Sequence, residues 1–124
     1  MQRVLAADIS GFHKAHELSA YALGVFTPLA ALSGKGSGTQ KLSDWALALA
    51  VPVHMHISTN ACVTDYVPTR YRGPVRAAVL GASVVAYMGI MKVNLTGPGL
   101  TETVKALWRK PQPAEPAAAA AAAQ

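Results

Sequence analysis

Three long stretches of the chain are almost free of charge, and short polar segments bearing glycine or proline separate them. The first runs from Leu18 to Ser33. Its one breaker, Pro28, lies past the middle, and membrane helices tolerate proline because neighbouring groups re-satisfy the freed backbone. With residues 14–17 as a first turn, the pattern predicts a helix over about 14–33. Gly34 to Thr39 reads as a glycine-rich connection, and Ser43 with Asp44 offers N-cap chemistry, so a second helix is expected over about 42–66. Trp45 to Thr64 carries no formal charge when histidine is neutral, a run of roughly 20 residues, which crosses a bilayer core. A soluble helix would show a charged face recurring every 3.6 residues, and none appears. Pro68, Gly73 and Pro74 mark an aqueous turn, with Arg70, Arg72 and Arg76 around it. A third apolar run from Gly73 to Met91 predicts a helix over about 73–95, with Lys92 snorkelling at its far end.

Beyond residues 94–99 the pattern changes. Leu100, Val104, Leu107 and Trp108 fall on one side of a short helix, with Glu102, Lys105 and Arg109 elsewhere. This suits an interfacial amphipathic segment over 100–110 with Trp108 at headgroup depth. The Ala/Pro-rich tail, 111–124, is expected to be disordered, since an alanine run alone has no face to bury. The fold class is therefore all-α: one membrane domain over 1–110 with three transmembrane helices, a short interfacial helix and a tail without chemistry.

Composition narrows the function classes. Hydrophobic residues make up 52% of the chain and charged residues 14%, which leaves no room for a separate catalytic domain beside three crossings. A net charge of +5 would suit nucleic acid, but the basic residues flank apolar runs without aromatic interleaving, so no nucleic-acid partner is expected. The positive-inside rule does not orient the chain. Arg3, Lys14, Arg70, Arg72 and Arg76 on one side balance Lys35, Lys41, Lys105, Arg109 and Lys110 on the other. A lone cysteine, Cys62, excludes an internal disulfide and a cysteine zinc site. The opening residues lack the basic, apolar and small-residue succession of a secretory signal.

The second helix holds the chemistry. His54, Ser58, Cys62 and Asp65 follow at spacings of four, four and three, which places them within roughly 80° of arc as one polar stripe. Polar groups inside a membrane are costly unless paired, so the stripe is expected to face protein or a cofactor. The plainer alternative is that Ser58 and Cys62 pack helices and His54 hydrogen-bonds a neighbour. A mid-helix neutral imidazole is suited to ligating haem iron. His56 lies about 200° away round the helix, so a second ligand would come from another chain. His13 and His16 fall near the aqueous end of the first helix and read as interface or surface residues. Asp65 and Tyr66, at the helix end, form a candidate site for a quinone carbonyl and its protons, although an interfacial tyrosine is commonly an aromatic-belt residue.

These residues resemble a known family. The string Val63-Thr-Asp-Tyr-Val67, with His54 eleven residues before Asp65, is similar to the second-helix signature of the small cytochrome b membrane-anchor subunit of mitochondrial succinate dehydrogenase, respiratory complex II. His13-Lys-Ala-His-Glu17 resembles the His-x-x-x-Glu opening of that family's first helix. Residues 105–110, Lys-Ala-Leu-Trp-Arg-Lys, resemble its basic Leu-Trp-Lys ending. One stretch departs: His56-Ile-Ser-Thr-Asn60 stands where animal members have Trp-Gly-x-Gly.

The resemblance implies an anchor in the mitochondrial inner membrane, joined to a larger cytochrome b subunit, an iron-sulfur subunit and a flavoprotein subunit. Electrons from succinate would reach ubiquinone, the substrate, in a step shared by the tricarboxylic acid cycle and the respiratory chain. His54 would be one axial ligand of a haem b shared with a partner, with Ser58 and Cys62 lining its pocket. Tyr66 and Asp65 would bind the quinone. The three turn arginines would meet the iron-sulfur subunit or anionic lipid such as cardiolipin. No catalytic residue and no activity are expected of this chain alone. The competing class is a supernumerary structural subunit of another respiratory membrane complex, without cofactor. A small solute carrier is disfavoured, because one ionisable stripe has no second half to alternate against it.

Overall fold

A computed structural model describes residues 2–8 and 11–109; the expected tail and Lys110 lie outside them. The regular elements among the described residues are all helical: α1 (Gln2–Leu5), α2 (His13–Leu32), α3 (Gly38–Tyr66), a 3-10 turn (Thr69–Tyr71), α4 (Arg72–Thr96) and α5 (Leu100–Ala106). Both α2 and α4 make their principal contacts with α3, which is the central helix. Pro28 in α2 and Pro52 in α3 sit inside continuous helices. The segments Gly38–Tyr66 and Thr69–Thr96 are each long and apolar enough to cross a membrane. His13, Lys14, His16 and Glu17 dilute the apolar run at the start of α2.

The interior inverts that of a soluble domain. Ser19, Gln40, Ser43, Asp44, Asn60, Ser83, Thr101 and Glu102 are buried, whereas Leu18, Val25, Leu32, Leu49, Val85, Met88 and Leu95 are exposed. Small alanines fill much of the apolar core, at Ala30, Ala48 and Ala50, beside Leu47, Ile57 and Val63. Small residues let backbones approach closely, and large apolar side chains are left to the surrounding solvent, which suits hydrocarbon rather than water.

The start of α3 corrects the expectation of a cap at Ser43-Asp44. The helix begins four residues earlier, with Ser37 as N-cap accepting a bond from the Gln40 N–H at 3.1 Å. Gln40 Oε1 accepts from the Gly36 N–H at 2.7 Å. Ser37-Gly-Thr-Gln40 is thus a capping-box sequence whose glutamine reaches one residue further back than usual. Ser43 lies inside the helix, its Oγ donating to the Thr39 carbonyl at 2.9 Å.

Asp44 instead fastens α5. Its Oδ1 accepts from the Thr101 N–H at 2.9 Å and from the Thr101 hydroxyl. Asn94 Nδ2 donates to the Asp44 carbonyl at 2.9 Å, while Asn94 Oδ1 accepts from the Leu100 N–H at 2.9 Å. The next residue, buried Glu102, accepts from Gln40 Nε2, one turn before Asp44 on α3, at 2.8 Å and from Arg109 at 2.6 Å. The Gln40 bond foremost, and Arg109 after it, hold the Glu102 carboxyl below its ordinary value of 4.5, so it is ionised at neutral pH. The short segment is therefore pinned by buried polar bonds, not only by an amphipathic face.

Gly99 enters α5 at φ +95° and ψ 159°, a region open essentially only to glycine. A Cβ there would also overlap Asp44 Oδ2. Gly99→Ala is expected to destabilise the fold by about 1–3 kcal/mol from backbone strain alone, read as a lowered thermal midpoint in detergent. An unchanged midpoint would show that α5 contributes little to stability.

Candidate functional site

The predicted stripe on α3 divides. Its upper half meets α2. Ser19 Oγ lies 3.2 Å from His54 Nδ1, and His16 Nε2 lies 3.0 Å from Ser58 Oγ. The rings of His16 and His54 stack with centroids 4.5 Å apart and planes 17° apart. His54 and Ser58 are half-buried, and Ser19 is buried. The lower half is open: Cys62 and Asp65 are exposed, and Tyr66 is 84% exposed. The structure thus brings His54 and Ser58 together with α2 and leaves Cys62, Asp65 and Tyr66 on the surface.

His16 corrects the surface reading of that residue, since it is half-buried against α3. The signal for it was available. His16 and Ser19 are three apart, one turn of the same helical face, and they match the spacing of four between His54 and Ser58.

A second polar line occupies the opposite face of α3. His56 Nε2 is 2.7 Å from the Val4 carbonyl, and its Nδ1 is 3.3 Å from Ser83 Oγ. Asn60, fully buried, donates from Nδ2 to the His56 carbonyl at 2.8 Å. Thr64 donates to Asp8, and Arg76 donates to Thr64 Oγ1 at 2.7 Å and to Asp8 at 3.2 Å. Sequence reasoning passed over this line. Yet His56, Asn60 and Thr64 repeat at four, and Arg76 and Ser83 stand seven apart, two turns on one face of α4.

The arginine turn is also narrower than expected. Arg72 closes the C-terminus of α3, donating from Nε to the Val67 carbonyl at 2.9 Å and from its guanidinium to the Thr64 carbonyl at 2.7 Å. Arg76 is spent on Asp8. Arg70 remains exposed, over the Tyr71 ring at 4.4 Å.

What the fold and site define is a helical membrane-type chain with a polar, histidine-bearing central helix. The chain belongs to the succinate dehydrogenase cytochrome B small subunit family, CybS, whose profile matches residues 8–109. It is 36% identical over 72 residues to the succinate dehydrogenase [ubiquinone] cytochrome b small subunit, mitochondrial, of Schizosaccharomyces pombe, covering 55% of this chain and 45% of that protein. The matched region spans under half the length of that relative. No solved structure matches the chain.

The Asp8–Arg76 pair is nearly enclosed, with side-chain exposures of 7% and 13%. Removing one partner of a buried pair strands the other charge, at a cost of about 3–5 kcal/mol. Arg76→Gln is therefore expected to lower the thermal midpoint sharply, and Asp8→Asn in the same chain to recover part of the loss. A double variant whose loss equals the sum of the two single losses would mean the pair is not coupled.

Proposed function

We propose that the chain is a membrane-anchor subunit of succinate:ubiquinone oxidoreductase, a three-span domain over residues 1–110 in the mitochondrial inner membrane. It holds the flavoprotein and iron-sulfur subunits to the membrane beside a larger cytochrome b subunit. α2 is the third span: its 20 residues are enough, at 1.5 Å each, to cross about 30 Å of hydrocarbon. The turn at Arg70 to Arg76 then faces the matrix with the N-terminus, and the loop at 33–37 lies with α5 on the other side.

The observation that carries this reading is His54. It is half-buried near the middle of a membrane-length helix, with Nδ1 engaged by Ser19 and with no partner for Nε2 among the described residues. A neutral imidazole held at one nitrogen is suited to ligating haem iron through the other. The residues therefore fit one axial ligand of a haem b. They do not fit two. His16 presents its ring face to His54 and His56 turns to the opposite side of α3, so neither would hold the same group as His54 Nε2. A second ligand would come from another chain. Bound haem supplies a one-electron redox centre in the membrane.

Ser58 and Cys62 continue the His54 face and line the haem side. Tyr66 donates its phenol hydrogen bond to the quinone carbonyl, and Asp65 beside it handles the proton. The exposure of both side chains suits a site completed by partner subunits.

His54→Ala is expected to abolish or shift the b-type haem spectrum of the purified complex while succinate oxidation by the soluble head continues. An unaltered spectrum would reject His54 as ligand, and copurification with a complex lacking flavin and iron-sulfur subunits would overturn the whole assignment. Tyr66→Phe keeps the ring and deletes one hydrogen bond, worth about 0.5–1.5 kcal/mol. Quinone reduction should fall about 3- to 10-fold with assembly preserved, and normal quinone kinetics would remove Tyr66 from the site.

A further inference from the structure

Ser19 stands at a branch point of hydrogen bonds. Its Oγ is 2.8 Å from the His16 carbonyl, three residues back on α2, and 3.2 Å from His54 Nδ1 on α3. A hydroxyl has one proton to give, and a carbonyl can only accept. The shorter bond takes the hydroxyl proton to His16 O, which leaves lone pairs of Ser19 facing His54. Nδ1 must then carry the imidazole proton and donate it to Ser19. In a neutral ring this leaves Nε2 unprotonated, with its lone pair available to a metal.

We infer that Ser19 is a positioning residue that sets the tautomer of His54 and strengthens it as an iron ligand. The inference rests on the proposal that His54 ligates haem. The ring plane is held as well. His16 stacks on it at 4.5 Å, and His16 is itself tied to α3 through Ser58 at 3.0 Å. Ser19 fixes which nitrogen is bare, and His16 limits rotation of the ring. Partners of this kind on the far nitrogen raise ligand basicity, and their loss typically costs 10-fold or more in metal affinity. A more basic imidazole favours ferric over ferrous iron, so removing the acceptor raises the haem potential.

A serine satisfied by its own helix carbonyl and merely packed against His54 is the simpler role, and it makes a different prediction. The test uses the purified complex carrying Ser19→Ala, Ser19→Cys or Ser19→Thr, with His54→Ala alongside. Haem per complex, the haem midpoint potential and the low-spin ferric EPR signature are measured. Alanine, and cysteine of similar size with a weak acceptor, should each lower the ferric preference about tenfold, an upward shift of about 59 mV for one electron. Both should also alter the EPR signature, and threonine, which keeps the hydroxyl, should restore both readings.

Wild-type potential and EPR in the alanine and cysteine variants would overturn the inference. So would a reduced yield of complex whose remaining haem is unchanged, which is the outcome of a purely structural serine. Should the alanine variant fail to assemble, the cysteine variant decides. A His54→Ala complex that keeps the wild-type haem spectrum would overturn the ligand assignment itself. Failure of Ser19 alone would leave that assignment standing.

Discussion

Polar side chains on a helix surrounded by hydrocarbon have to find partners inside the protein, and this demand arranges the other helices around α3. Two polar faces lie on α3 about 200° apart. His54 and Ser58 take their partners from α2, at Ser19 and His16. His56 and Thr64 take theirs from α4 and the N-terminal segment, at Ser83, Arg76, Val4 and Asp8. Apolar contact distinguishes poorly between helix pairings when lipid tails are as apolar as leucine. Hydrogen bonds at fixed positions do distinguish, and they specify which face of α3 each neighbour covers.

Carboxylates secure the two ends of the bundle in different ways. At one end Asp8 is neutralised by Arg76, and Arg72 takes up the last carbonyls of α3. At the other, Asp44 receives neutral donors from Thr101, and Glu102 combines Gln40 with Arg109. Both ends use side chains to satisfy backbone groups that a helix terminus leaves open.

The three long helices α2, α3 and α4, the short α5 and the mid-helix position of His54 were legible in the sequence because hydrophobic runs and spacings along one helix are local properties. What was misread depends on partners distant in the chain. The start of α3 was placed near Ser43-Asp44 because both are good capping residues, but Asp44 is used 57 residues away by Thr101, and Ser37-Gln40 caps the helix instead. His16 read as an interface or surface residue because it falls near the aqueous end of the first helix. The antiparallel packing of α2 on α3 covers it, on the same helical face as Ser19. Asp65 and Tyr66 drew their candidate role first from their place at the end of the helix and then from the family resemblance, and this one chain leaves both side chains on its surface.

The packing of α2 explains why a single stripe on α3 is closed at one end and open at the other. His16 stands opposite Ser58 and Ser19 near His54, so movement back along α2 is movement forward along α3. The first residue of α2 is His13, three before His16, and the matching point on α3 is three beyond Ser58, at Ala61. Cys62, Asp65 and Tyr66 all lie past it, where α2 has no helix left to cover them. α3 continues to Tyr66 because α4 and the Asp8–Arg76 pair support its other face to Thr64. A longer α2 would bury the Asp-Tyr mouth, and a shorter one would uncover His54. The length of α2 is therefore what lets one stripe offer a sheltered histidine at depth and an accessible phenol at its end.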